Sequence, residues 1–299
     1  MFEGFSEFDI AVSNSPDVTI HGIRSGNGEP LLLLHGFPQT HHMWHLVAPQ
    51  LASAFTVICI DLRGYGRSSK PASSSSAKHA PYSKSSMARD CVAVMAHFGF
   101  QSFSILAHDR GARVAHKLCV DYPERARKLM MLDICPTLTM YEATNQDFAT
   151  AYWHWFFLVQ PAPFPETLIL KNREVFREKF FGGAGYAGGK EEYHPEAMRE
   201  YLAQLVDPEA VHAMCEDYRA AATVDLEEAR EDREKGRKIK CPVRVLWGKK
   251  AVIERCFDAM KEWRAVSEGA VDGEAVDSGH YVAEEVPDVV LKNAMEFFG

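Results

Sequence analysis

Paired cysteines are the first thing missing. The seven cysteines (Cys59, Cys91, Cys119, Cys135, Cys215, Cys241 and Cys256) are scattered, odd in number and include no Cys-x-x-Cys spacing. That excludes a disulfide framework and suggests reduced thiols in a cytoplasmic chain, most of them small core residues. A basic stripe is also missing. With a net charge of −8, nucleic acid is not expected as a partner. No apolar run reaches the ~18 residues of a membrane span. The opening MFEGFSEFDIAVSN carries two Glu and one Asp where a signal peptide would carry a basic start. Internal repeats are absent too. What is present is a globular composition, 46% hydrophobic and 25% charged over 299 residues, enough for a substantial core.

The first 135 residues alternate between strand and helix signals. VTIHGI (18–23), PLLLLHG (30–36), FTVICIDLRG (55–64), SFSILAHD (102–109) and ARKLMMLDICP (126–136) read as strands. Helical patterns fill 83–100 and 110–123. Such alternation means βαβ units and a mainly parallel sheet. From about 137 to 235 the pattern becomes helical, with YWHWFFLV (152–159) taken as helix and FFGGAGYAGGK (180–190) as a Gly-rich loop. Strand signals return at CPVRVLWG (241–248). A helix over about 254–266, a weak strand at 271–276 and a terminal helix follow. The expected fold class is α/β: a mostly parallel sheet flanked by helices. Its core spans 1–136 and 237–299, and a helical cap, 137–236, lies over the strand C-termini.

In parallel sheets, ligands bind beyond the carboxyl ends of the strands. Asp109 stands at such an end, within Ala107-His108-Asp109-Arg110-Gly111. This is the small-x-nucleophile-x-small form of a nucleophile elbow, with a carboxylate in the nucleophile position. An Asp at a helix start is also a favoured N-cap, so the motif alone leaves both readings open. Three distant features favour the elbow. LLLLHGFPQ (31–39) is a strand and loop that can aim the Phe37 backbone N–H at the site, where with the Arg110 N–H it would form an oxyanion hole. DSGHYV (277–282) puts His280 on a loop before the last helix, as a general base. The orienting acid is expected near WGKK, but Ala251 stands there. Asp133, at the end of MMLDICP, is the better candidate, with Glu254 and Asp258 as weaker ones.

This arrangement resembles the α/β-hydrolase family, whose chain order of nucleophile, acid and base matches Asp109, Asp133 and His280. An Asp nucleophile narrows the resemblance to epoxide hydrolases and carbon–halogen-cleaving dehalogenases. Arg110 and Arg113, three apart at a helix start, share a face and offer forks suited to a carboxylate. Asp-Arg-Gly-x-Arg closely resembles the fluoroacetate dehalogenases. That resemblance implies a halide pocket of His154 and Trp155 (in YWHWFF) and Tyr218 (in CEDYRAA). It further implies a small anionic haloacid substrate, an aspartyl ester intermediate, a 2-hydroxy acid product, a homodimer and no cofactor. Trp153 is expected to face elsewhere.

The rival reading is an epoxide hydrolase with Tyr152 and Tyr218 activating the ring oxygen. A non-catalytic receptor would lack the base or nucleophile, and a simple esterase would carry Ser at 109. HHMWH (41–45) has no acid partner in the sequence and no helical zinc spacing, so no metal is expected.

Overall fold

The computed structural model describes residues 1–73, 75–182 and 193–299. Its centre is an eight-stranded sheet: β1 (Ser6–Asn14), β2 (Asp17–Ser25), β3 (Glu29–Leu34), β4 (Phe55–Ile60), β5 (Phe103–His108), β6 (Ala126–Leu132), β7 (Val243–Gly248) and β8 (Val271–Val276). The strand order is β1-β2-β4-β3-β5-β6-β7-β8. Pairing is antiparallel from β1 through β2 to β4 and parallel elsewhere. The architecture is α/β, a mostly parallel sheet flanked by helices, as the sequence pattern leads one to expect.

The central strands are apolar because helices cover both faces. Leu31 to Leu34 and all of β4 are buried, as parallel strands wrapped on two sides require. The helix Lys84–His97 starts where Ser83 accepts a hydrogen bond from the Ser86 N–H at 3.2 Å. β1 is not expected from the sequence. Its residues SEFDIAVSN alternate too irregularly to give a clear period of two. The helix expected over 254–266 is two helices, Val252–Cys256 and Ala259–Ala265. Asp258 restarts the second by accepting from the Lys261 N–H at 3.0 Å. YWHWFFLV is helical over Trp153–Leu158. Most of the Gly-rich run 180–190 lies outside the described residues.

Between β6 and β7 the described residues form helices and no strand, from Thr137–Glu142 to Val224–Glu234. The long helix Pro208–Ala222 carries a nearly unbroken buried stretch from Ala210 to Ala221. One close approach fixes how β3 meets β5 and its helix. A Cβ on Gly111 would stand 2.3 Å from the His35 carbonyl oxygen, so only glycine lets the helix Asp109–Asp121 begin there. Gly111→Ala is expected to cost about 1–3 kcal/mol, read from urea denaturation midpoints at unchanged slope.

Candidate active site

β5 ends at His108 and the next residue, Asp109, has φ +42°. That left-handed backbone is rare for a non-glycine side chain and is held by its surroundings. It turns the chain sharply between strand and helix and presents the Asp109 carboxylate beyond the sheet edge. The side chain is buried, and its Oδ2 has no hydrogen-bond partner among the described residues. The His-Gly-Phe-Pro loop lies against it: a Cβ on Gly36 would stand 2.6 Å from the Asp109 Cβ. His35 holds that loop by donating from Nδ1 to the Gly36 carbonyl at 2.9 Å and accepting at Nε2 from the Leu62 N–H at 3.0 Å. Phe37 follows, buried, its ring 5.2 Å from Tyr218 and stacked at 6.0 Å on His154.

Asp133 also has a positive φ, +49°, directly after β6. Its Oδ1 accepts from the Gly248 N–H at 3.0 Å and its Oδ2 accepts from His280 Nδ1 at 2.6 Å. The His280 loop is braced from two sides. Glu285 accepts from the Gly279 and Tyr281 N–H groups, and His108 Nε2 donates to the His280 carbonyl at 2.9 Å. Burial would lower the His280 pKa, but the Asp133 hydrogen bond and charge outweigh it, with Asp109 adding to them, and the net direction is upward. The other two candidate acids do not reach this His. Glu254 is exposed and accepts from the Trp247 indole, and Asp258 caps its helix.

Both arginines are buried, and they differ in partners. Arg110 donates from Nε to Asp217 Oδ2 at 2.8 Å, and from Nη2 to Asp217 Oδ1 at 2.7 Å and to its backbone carbonyl at 2.8 Å. Its Nη1 is the remaining unpartnered nitrogen. Burial opposes the Arg110 charge, but Asp217 pushes its pKa up. The fork read in the sequence as suited to a carboxylate is therefore largely taken by one of the same chain. Arg113 has neutral acceptors: its Nη1 donates to the Cys135 carbonyl at 3.2 Å and to Thr137 Oγ1 at 2.8 Å, and its Nη2 faces Met140 Sδ at 3.3 Å. Its Nε has no partner, and burial lowers its pKa. Among the described residues no carboxylate forms an ion pair with Arg113.

The guanidinium faces bring the aromatic residues in. Arg110 lies 4.2 Å over the Tyr218 ring and Arg113 4.6 Å over the Trp155 ring. His154 is 5.7 Å and Trp155 6.4 Å from Tyr218, ring centre to ring centre. The Trp155 Nε1 and the Tyr218 hydroxyl are buried with no partner among the described residues. Burial, then the charges of His280 and the two arginines, drives the His154 pKa far down, so its ring is neutral. Burial likewise keeps Tyr218 a phenol. Trp153 instead stacks on Phe180 at 5.9 Å. The described cavity of about 480 Å³ reaches Arg113 and Lys84 from the side, between helices, and is not lined by Asp109 or His280.

Asp217 does not stand out in the sequence. It accepts from Arg110, from the Tyr65 hydroxyl at 2.7 Å and from Lys84 Nζ, and is fully buried. A signal exists all the same: the acid sits three and four residues from Met214, Ala213, Ala220 and Ala221 on the buried face of its helix. An acid on an apolar stripe is expected to be paired.

The α/β hydrolase fold family model matches residues 29–184. The chain is 41% identical to a fluoroacetate dehalogenase of Burkholderia sp over 99% of its length and 95% of that protein's. It is 29% identical to a soluble epoxide hydrolase of Corynebacterium sp. (strain C12), covering 93% of each. A solved α/β-hydrolase structure from Nostoc sp PCC 7120 superposes with TM-score 0.94 at 46% identity, covering 100% of this chain and 99% of that one.

Two outcomes follow from this geometry. Asp217→Asn leaves Arg110 and Lys84 buried with a weakened counter-charge, and stability is expected to fall by about 3–5 kcal/mol in chemical denaturation. In an NMR titration, the His280 imidazole is expected to lose its proton above the ordinary value of ~6.5. Asp133→Asn removes the main cause of that rise and moves the midpoint down. Because the fold raises this pKa, the pair adds stability at acid pH, and loses it as pH rises through the folded-state value.

Proposed function

The chain belongs to the α/β-hydrolase family, and on that premise we propose that it is a hydrolytic dehalogenase of small 2-haloacids such as fluoroacetate or chloroacetate. The observation that carries this reading is Arg113, a buried guanidinium without a paired carboxylate. Asp109 favours the Arg113 charge without bonding to it, and an anionic substrate supplies a bonded counter-charge for this buried cation. A neutral epoxide would not. Arg110 adds its Nη1, held in place by Asp217.

In this reading the substrate carboxylate rests on Arg113 and on Arg110 Nη1. The Asp109 carboxylate attacks the halogen-bearing carbon in line, the new C–O bond forms, and the halide departs with the bonding electron pair. His154, Trp155 and Tyr218 receive it. Fluoride is small, strongly hydrated and a poor leaving group, so it needs several donors where its charge appears, and imidazole, indole and phenol each donate one hydrogen. An ester then joins Asp109 to the acid's α-carbon. His280, oriented by Asp133, takes a proton from water, which attacks the ester carbonyl. The Phe37 and Arg110 N–H groups would hold the resulting oxyanion. As the acyl C–O bond breaks, the His280 imidazolium gives its proton to the departing alkoxide, glycolate leaves, and the second proton of the water passes to solvent, which restores the Asp109 carboxylate. No cofactor enters any step.

We take 137–236 as a cap domain on a core of 1–136 and 237–299. Seven free thiols suit a reducing cytoplasm. Exposed Phe164, Leu168 and Val175, on consecutive helices, offer an apolar surface for a homodimer.

The test is side-by-side release of fluoride and chloride from fluoroacetate and chloroacetate. Wild type is expected to release both halides, and Arg113→Ala to lose at least about 100-fold in kcat/KM, since a charge-assisted bond on a desolvated anion is worth ~3 kcal/mol. Wild type that instead opens a neutral epoxide, with Arg113→Ala equally active, would overturn the dehalogenase in favour of the epoxide reading. His280→Asn should trap the ester, raising the intact mass by the glycolyl unit.

A further inference from the structure

The HHMWH run has an acid partner in three dimensions. His41 opens a short helical turn, His41–Trp44, after the His-Gly-Phe-Pro loop. Asp61 follows β4, and its Oδ1 accepts from the His41 backbone N–H at 2.9 Å and from His41 Nδ1 at 2.8 Å. His21 comes from the middle of β2. One ring nitrogen from each of these histidines and one Asp61 oxygen lie within 4.8 Å of one another, and all three residues are buried.

From this cluster we propose a structural site for a divalent first-row transition cation, zinc foremost, formed by His21, His41 and Asp61. Two observations argue for a ligand rather than a simple polar cluster. His21 Nδ1 bonds the Asp9 carboxylate at 3.0 Å, while its Nε2 is buried with no partner among the described residues. With Nδ1–H donated to Asp9, Nε2 presents a lone pair. A carboxylate on the outer nitrogen of a ring whose inner nitrogen binds metal is the usual second layer of a histidine–metal site. Imidazole donors also favour zinc and its neighbours over magnesium or calcium. Tetrahedral zinc holds its ligand atoms ~3.4 Å apart, so a cation would replace the 2.8 Å His41–Asp61 hydrogen bond and spread that pair by about half an ångström, while any wider separation in the cluster closes. The Asp61 carboxylate is fixed from its other side. Its Oδ2 accepts from the Arg67 N–H at 3.0 Å, and a Cβ on Gly66 would collide with that oxygen.

The site has a cover. The Phe2 ring packs 5.6 Å from His41 and 5.9 Å from His42, so movement of the N-terminal residues would open the way in. A bound cation would tie β2, the turn after the oxyanion loop and the end of β4 together. Its effect belongs to stability and not to turnover.

The experiment strips the full-length protein with a chelator and adds zinc chloride, or cobalt(II) as a spectroscopic probe. Calorimetry is expected to show one saturable equivalent, with a higher Tm and d–d bands for cobalt in a nitrogen–oxygen environment. His21→Gln and His41→Leu are expected to weaken binding by well over tenfold. Asp9→Asn, on the exposed edge strand where folding is not at risk, should weaken it by about tenfold. His97→Ala, on an exposed histidine elsewhere, should leave it unchanged. The site is overturned if no saturable equivalent binds. It is equally overturned if His21→Gln, His41→Leu and Asp9→Asn all bind like wild type, which would assign the metal to surface histidines.

Discussion

The carboxylate of Asp217 joins the two halves of this molecule. It comes from the long helix Pro208–Ala222, between β6 and β7, and it accepts hydrogen bonds from Arg110, Tyr65 and Lys84, all from the chain before β6. A lone carboxylate buried this deeply would be severely penalised, and burial alone would raise its pKa. Arg110 and Lys84 reverse that and hold it ionised. The arrangement is reciprocal, because Arg110 would be equally penalised without Asp217. The helices between β6 and β7 and the chain before β6 are therefore coupled by charge as well as by apolar packing, and the coupling runs through Arg110, the residue after Asp109.

Positive φ angles mark two of the carboxylates that lie at strand ends, Asp109 and Asp133. Each strand delivers its acid at the carboxyl edge and the chain then turns away abruptly. The turns have little room. Gly36 and Gly111 stand where a single added carbon would collide with Asp109 or with the His35 carbonyl. The His-Gly-Phe-Pro loop, the elbow and the His280 loop are consequently packed as one unit, with His108 bonding directly to the His280 backbone.

Much of this is legible in the sequence because it rests on local pattern. Alternating apolar runs mark the sheet through β8, and the small residues flanking Asp109 mark the turn. His280 and Asp133 are readable because each occupies a strand-end or loop position with a known chain order. What escapes detection depends on contacts between distant residues. β1 joins the sheet through pairing with β2, and its own pattern is irregular. The Asp217–Arg110 pair spans 107 residues, and no local spacing encodes it. The two arginines look equivalent at three-residue spacing. Only the fold distinguishes one already matched by an acid from one matched by neutral oxygens and sulfur. His21, His41 and Asp61 likewise meet only once β2 lies beside β4.

Asp217 and Tyr218 are consecutive residues on one helix. The first steadies Arg110 and the second lies flat beneath that same guanidinium. A roll or slide of this helix would shift both at once. In the proposed enzyme, the contact that orients the acid end of a substrate and the contact that receives its departing halogen could not be tuned separately. Admitting a bulkier halogen by backing Tyr218 away would also loosen the grip on the carboxylate. Selection for a new leaving group would thus have to work through the neighbouring rings, His154 and Trp155, which sit on another helix.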